Sequence, residues 1–467
     1  MNNFKNPEKS IVNKKILVVG MQKSGIESAL FLAKNKAVVT VTDLKNRESL
    51  AESIKKLEES GYNFNYEIGF HNEASFTNSG LIIVSPGVPA DNPYLLKAKD
   101  CGVKIISEVE LGALFSKAPY AAITGTNGKT TTTTLCYEIL KSSEMFKNVY
   151  SGGNIGTPFI SFAGDAAETD AIALEISSFQ MEWAENFKPR AAALLNLTED
   201  HLNRHHTMEN YMAMKMRVFM NQDKDCVAVL NADDPLVIAE KKLIKSNLKT
   251  FTITNNPDCD IFVEDNFLTL KDGGRHIKVI NIEEIGIIGP HNLSNSAAAC
   301  AVTYFGFKVP VEKISHTLRT FKGVHHRLEF VKKINGIDFY NDSKATNEDS
   351  AIVALKSFKT PVLLIAGGSD KGADFKAFAA QVKKSPVKKI YLIGQVADII
   401  KKALEDSGFN ESVKLKTVEE CVANAFSDAV SGDTVLLSPA CASLDMFKNY
   451  EQRGEFFINA VKNLEVV

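Results

Sequence analysis

No two of the seven cysteines, Cys101, Cys136, Cys226, Cys259, Cys300, Cys421 and Cys441, stand at C-x-x-C spacing, and their number is odd. A zinc ribbon, a redox dithiol and a disulfide-stapled secreted scaffold are excluded on that basis, and a reduced, cytoplasmic chain is expected. No run approaches the roughly 20 apolar residues of a membrane span. The stretch from Met1 to Lys15 is polar, so no secretory leader is expected either. Neither sign of charge dominates: 54 Lys plus Arg against 56 Asp plus Glu leave a formal charge of -2. The chain therefore has no general attraction for nucleic acid or anionic membrane, and any polyanion must be met by a local site. Low-complexity tracts and short repeats are absent too. What is present is a globular composition, 45% hydrophobic and 24% charged, which excludes wholesale disorder, collagen and coiled coil. At roughly 150 residues per domain, this length corresponds to about three domains.

From Lys15 to about Glu110, short apolar runs (ILVVG 16–20, VVTVTD 38–43, LIIVS 81–85, VKII 103–106) alternate with helical stretches expected from Gly25 and from Arg47. This is the rhythm of buried parallel strands with crossover helices. The first strand ends in GMQKSG (20–25), a partial dinucleotide fingerprint with Gln22 where a glycine belongs. It reads either as a phosphate-binding helix N-terminus or as an ordinary tight turn. Asp43, ending the second strand, suits a ribose contact and equally a helix cap.

The second segment opens with AAITGTNGKTTTTTLCYEIL (121–140), an apolar strand, a glycine turn and a helix. Gly125 and Gly128 free the backbone to wrap a phosphate, Lys129 supplies a point charge, and the Thr130 hydroxyl is placed for Mg²⁺. Ile123 occupies the first glycine position of the longer loop pattern, so this is a shortened form, GxxGKT. Strands are expected at 171–177, 191–198 and 227–234, followed by a β-rich part over about 250–288 and a small-residue helix within 289–300. A third α/β segment follows FKGVHHR (321–327), with a hairpin-like stretch over 328–343 and strands in 361–375, 388–394 and 433–447. The expected architecture is α/β in three domains: a Rossmann-like domain (1–107), a central P-loop ATPase-like parallel sheet with a small β-rich part (108–323), and a C-terminal Rossmann-like domain (324–467).

Several polar residues fall at the carboxyl ends of predicted strands, where a doubly wound sheet binds ligands. Glu175 and His201 are placed either to ligate a divalent cation beside the phosphate or as a helix cap and a surface histidine. His205 and His206 read as solvated neighbours. Lys215, in NYMAMKMRVF (210–219), reads by composition as a stem packed on a methionine stripe with its ammonium in water. The polar run from Asn341 to Asn347 suggests a ligand edge, and Lys371 is either an anion contact or soluble surface. Cys441, without a histidine nearby in sequence, reads as a packing residue.

Taken in order, GTNGKTT (125–131), GGNIG (152–156), EISSFQ (175–180), NLTEDHLNRH (196–205), GPHNLSN (289–295), HHR (325–327), YNDSKATN (340–347), GGSDKGADF (367–375) and LSPACASLDMFKNYEQRG (437–454) resemble the Mur ligase family over nearly the whole chain, and within it the D-glutamate-adding branch. The resemblance implies a cytoplasmic, monomeric enzyme of peptidoglycan precursor synthesis. It would use ATP and two Mg²⁺ ions to join D-glutamate to UDP-N-acetylmuramoyl-L-alanine through an acyl phosphate.

The resemblance also implies residue roles. Gly125, Thr126, Asn127, Gly128, Lys129, Thr130 and Thr131 would bind ATP phosphates, with Asn292 and Asn295 at the adenine side, Arg327 at phosphate and Asp342 at ribose. Thr130 and Glu175 would serve one metal, and His201 with Lys215, carbamylated by CO₂, the other. Lys129, His201 and Lys215 would be catalytic. Ser24, Asp43, Asn154 and His201 would hold the UDP substrate, and Thr346, Lys371, Ser443 and Tyr450 the D-glutamate. Gln22 and Tyr450 depart from the family pattern, which usually has glycine and phenylalanine there. The alternatives are a sister ligase for another amino acid and a nucleotide-switched interaction protein; a nicotinamide oxidoreductase is disfavoured by Gln22.

Overall fold

A computed structural model of the chain describes residues 7–369 and 372–464. One compact unit comprises the chain up to Glu283 together with Ser294–Arg319; the other comprises Glu284–Leu293 and the chain from Thr320.

The first unit holds two sheets. Strands β1 (Lys15–Val19), β2 (Val38–Asp43), β3 (Phe64–Ile68), β4 (Leu81–Val84) and β5 (Ile105–Ser107) form a parallel sheet in the order β3-β2-β1-β4-β5. Four of the five β1 residues are buried because helices cover both faces, which is why the strand reads as an unbroken apolar run. The chain leaves β1 in opposite directions on either side, so the carboxyl ends of β1 and β4 border the ligand crevice of such a sheet. The helix after β1 spans Lys23–Lys34, starting two residues before the expected Gly25. The helix expected from Arg47 begins at Ala51.

The second sheet contains β6 (Tyr120–Thr124), β7 (Val149–Gly153), β8 (Ala171–Glu175), β9 (Ala191–Leu194), β10 (Val227–Asn231), β11 (Asn247–Phe251), β12 (Ile261–Glu264), β13 (Phe267–Asp272) and β14 (Arg275–Asn281), in the order β14-β13-β12-β11-β10-β9-β6-β8-β7. It is parallel from β7 to β12, and the expected β-rich part extends it through the antiparallel pairs β12–β13 and β13–β14. Strand β6 lies between β8 and β9, with Ile123 opposite Glu175 and Thr124 opposite Leu194. The glycine loop is thereby set beside the ends of both neighbours.

The second unit holds β15 (Glu329–Ile334), β16 (Ile337–Asn341), β17 (Val362–Gly367), β18 (Val387–Ile393), β19 (Ser412–Lys414) and β20 (Thr434–Leu437), in the order β15-β16-β20-β17-β18-β19. The predicted hairpin is β15–β16, turned at Asn335 (φ 50°) and Gly336 (φ 80°), the positive-φ pair that a two-residue hairpin turn demands. All other pairings in this sheet are parallel. None of the seven cysteines is in a disulfide; Cys101 is exposed and the rest are buried.

Candidate active site

Strand β6 delivers the chain into the glycine loop, where Gly125 (φ 149°) and Gly128 (φ 83°) take conformations that L side chains rarely adopt. Gly128 caps the helix Lys129–Ser142, and a Cβ there would overlap the Asn295 amide oxygen. The same oxygen accepts from the Thr132 hydroxyl at 3.2 Å, so Asn295 sits against the loop. Asn196, just beyond β9, clamps the loop from the other side: its side chain accepts from the Asn127 N–H (2.8 Å) and donates to the Asn127 carbonyl (3.0 Å). Thr126 bonds to the Thr198 carbonyl. The first turn of the helix Lys129–Ser142 faces the loop, and the helix dipole favours an anion in front of it. Lys129 folds back onto the Thr126 carbonyl at 2.7 Å.

Behind the loop, the Thr130 hydroxyl donates to Glu175 Oε2 at 2.7 Å, and the Asn154 amide donates to Oε1 at 2.8 Å. Thr130 and Glu175 are buried and Asn154 is exposed. Residue 153 must be glycine, because a Cβ would overlap the Glu175 carbonyl oxygen.

Lys215 corrects the reading from composition. It is only 2% exposed, and its Nζ donates to the Gly125 carbonyl at 2.7 Å over the Tyr211 ring. Burial, reinforced by the Lys129 charge and opposed by Asp200 and Glu175, lowers its pKa to about 7. That is a penalty on the ammonium on the order of 5 kcal/mol, enough to make the free amine abundant at neutral pH. His205 is a second correction. It is buried, bonded to the Ser178 hydroxyl at 2.9 Å and pulled down to about 4 by burial and then by Arg204, whereas His206 is exposed as expected. His201 is exposed with φ 54°, packs its ring at a tilt against Phe179 and is engaged by Asp200.

In the N-terminal crevice, Gly20 (φ 94°) and Gly25 are required by close approach, since a Cβ at either would crowd Ser85 or the Gly20 carbonyl oxygen. Gln22 faces solvent as the helix N-cap, so the middle glycine of the fingerprint is dispensable for this packing. Ser24 is half-buried in the first turn. The Asp43 carboxylate accepts from the N–H groups of Met21 and Lys45, locking the β1 and β2 ends together.

In the second unit, Arg327 is half-buried between His326 (φ 62°) and Leu328 (φ 41°). Asp342 accepts from the Leu328 N–H and the Ser438 hydroxyl, and burial raises its pKa to about 7. Asn292 bonds to the Ile288 carbonyl. A cleft of about 300 Å³ opens at the carboxyl end of this sheet, lined by Thr346, Ser369, Ala440, Cys441 and Ala442 among others. Ser443 follows that wall and is buried, while Tyr450 opens the helix Tyr450–Lys462 and stands outside the lining. Lys371 lies outside the described residues. Cys441 is a buried wall residue, in keeping with its packing role. The Asn196 clamp and the Tyr211 ring under Lys215 escape sequence reading: both residues lie in quoted stretches, 196–205 and 210–219, but nothing in sequence shows what their side chains touch.

Three family profiles match consecutive parts of the chain: the Mur ligase MurD-like N-terminal domain over 14–107, the Mur ligase middle domain over 123–303, and the Mur ligase glutamate ligase domain over 326–441. A UDP-N-acetylmuramoylalanine–D-glutamate ligase of Thermoanaerobacter sp. (strain X514) is 43% identical, covering 97% of this chain and 98% of the relative. The enzyme of the same name from Clostridioides difficile (strain 630) is 41% identical over 97% and 99%. Among solved structures, UDP-N-acetylmuramate–alanine ligase MurC of Thermotoga maritima has a TM-score of 0.58 at 18% identity, over 96% of this chain and 99% of that one. MurF of Acinetobacter baumannii has a TM-score of 0.59 at 16% identity over 90% and 91%. At these identities the structural likeness concerns the fold.

Proposed function

The chain belongs to the Mur ligase family, and we propose that it works as an ATP-dependent ligase joining D-glutamate to UDP-N-acetylmuramoyl-L-alanine in peptidoglycan precursor synthesis. The observation that carries this reading is the similarity, above 40% identity and almost end to end, to relatives of that activity. A glycine loop backed by the buried Thr130–Glu175 pair, with Asn154 bonded to the same carboxylate, supports the ATP part of it.

In this reading the substrate carboxylate attacks the γ-phosphate, ADP leaves and an acyl phosphate forms. The D-glutamate amine then attacks the acyl carbon, and the amide forms as phosphate leaves. Gly125 to Thr131 hold the phosphates through backbone N–H groups, and Lys129 swings from the Thr126 carbonyl onto the transferring phosphoryl oxygens. Asn292 and Asn295 flank adenine, while Arg327 meets phosphate and Asp342 ribose. Ser24, Asp43, Asn154 and His201 hold the UDP substrate; Thr346, Lys371, Ser443 and Tyr450 hold D-glutamate.

The donor set suits a hard divalent cation, since a hydroxyl and a carboxylate lie 2.7 Å apart at the phosphate loop. Thr130 and Glu175 would hold one Mg²⁺, and His201 with Lys215 a second. Bound there, magnesium would offset the negative charge on the phosphate oxygens. An ammonium cannot ligate a cation, so Lys215 serves as its carbamate: the free amine adds CO₂ and releases one proton, leaving a carboxylate in place of the positive charge. The domain boundaries near 107 and 323, a monomeric state and a cytoplasmic location belong to the same proposal.

The test is product formation with D-glutamate, L-alanine, L-lysine and meso-diaminopimelate offered in parallel. A product from D-glutamate alone is expected, and turnover with another of the four in its place would assign the chain to a sister activity.

A further inference from the structure

One buried cation of the second unit has no role in the scheme above. Arg453, in the helix Tyr450–Lys462, is 1% exposed. Among the described residues its guanidinium donates to neutral oxygens: the Ser343 hydroxyl (3.0 Å) and carbonyl (2.8 Å), and the carbonyls of Cys441 (3.0 Å), Ala442 (3.3 Å) and Gly367 (3.5 Å). Asp445 and Asp342 act on it at longer range, and burial lowers its pKa to about 10, which leaves it charged at neutral pH. Neutral donors would tie the same loops without the cost of burying an ion.

The acceptors sit at the carboxyl ends of β16, β17 and β20, and two of them, Cys441 and Ala442, line the 300 Å³ cleft, whereas Arg453 does not. The 440–442 segment is thus a wall with the guanidinium behind it. A trans peptide points its C=O and N–H to opposite sides. Anchoring the Ala442 carbonyl on Arg453 therefore turns the next N–H group, of Ser443, away from the arginine, while the Ala442 N–H faces the Ser369 carbonyl in the antiparallel bridge between those two residues. The Ser369 N–H holds the Ala442 carbonyl as well, at 2.8 Å. Gly368 (φ 149°) makes the close approach feasible, since a Cβ there would overlap that carbonyl oxygen and crowd the guanidinium.

We propose that Arg453 is a positioning residue of the amino-acid cleft: it aims the Ser443 N–H group at a carboxylate of the incoming amino acid and places a buried positive charge behind it, so that the cleft selects an acidic amino acid over its neutral amide. This rests on the reading of the second unit as the amino-acid-binding part.

The test compares the wild-type chain with Arg453→Lys and Gly368→Ala. Both are checked by circular dichroism and melting temperature, and KM is measured for ATP and D-glutamate, together with kcat/KM for D-glutamine. The lysine keeps the charge and loses the fork that grips two carbonyls; the alanine keeps the arginine and displaces the Ala442 carbonyl. Each is expected to raise the D-glutamate KM at least tenfold with the ATP KM within about twofold, and to narrow the preference for D-glutamate over D-glutamine. An unchanged D-glutamate KM in a folded variant, or equal rises in both KM values, would overturn the proposal. If Arg453→Lys does not fold, the Gly368→Ala result decides by the same criteria. A wild-type enzyme whose ATP turnover ignores D-glutamate would instead remove the reading beneath it.

Discussion

The ammonium nitrogen of Lys215 lies 2.7 Å from the carbonyl oxygen of Gly125, the first glycine of the phosphate loop. A cation held against the loop supports its backbone from behind, and in the proposed reaction the same nitrogen, freed of its proton, takes up CO₂ to become an anionic ligand. Loss of this side chain is expected to lower kcat by about 10²–10³, the usual effect of removing one charge-stabilising group. In Lys215→Ala a short carboxylic acid in the assay is expected to restore part of the rate by supplying the missing carboxylate. Full activity in the plain variant would remove the carbamate role.

Gly128→Ala tests the loop conformation. A left-handed backbone costs an alanine about 1–2 kcal/mol, and the new Cβ would overlap the Asn295 amide. The expected result is an ATP KM raised roughly tenfold or more, at 1.4 kcal/mol per factor of ten, with the D-glutamate KM little changed. Nucleotide titration by calorimetry checks it, and wild-type affinity would refute it.

Glu108 gives the fold a pH dependence. It is buried in the helix Glu108–Phe115, with one oxygen accepting from the Ile160 N–H at 2.7 Å. Burial raises its pKa to about 7, against 4.5 for the ordinary side chain. The folded state thus binds the proton more tightly than the unfolded one. Its contribution to stability is greatest at or below pH 4.5 and falls as pH rises toward 7, by an amount on the order of 3 kcal/mol. Glu108→Gln, which keeps an acceptor for Ile160, is expected to raise the melting temperature at pH 8 more than at pH 5. An identical shift at both values would contradict this.

Lys371→Ala is expected to raise the D-glutamate KM far more than the ATP KM, measured in one coupled assay. Equal effects would move Lys371 out of the amino-acid pocket.

The central strands were legible because burial on both faces makes them continuous apolar runs, as in β6, β8 and β17. Strands β3, β7 and β19 were not, because each ends its sheet and is only partly buried, so its residues carry no comparable pattern. The phosphate loop was legible from its glycines, whose φ angles the structure explains. The burial of Lys215 and His205 was not, since helical spacing says which residues share a face and nothing about what covers that face. Arg453 was invisible for the same reason: it shares the 437–454 segment with Cys441 and Ala442, but nothing in sequence shows that its side chain is buried against them and against Ser343 and Gly367, 11 to 110 positions away.

The most direct measurement is phosphate release from ATP in the presence of Mg²⁺, UDP-N-acetylmuramoyl-L-alanine and D-glutamate, with each component omitted in turn and the product weighed by mass spectrometry. Release that requires all four, with a product heavier than the UDP substrate by one glutamyl residue, is the predicted result. Steady ATP hydrolysis indifferent to D-glutamate would contradict the account.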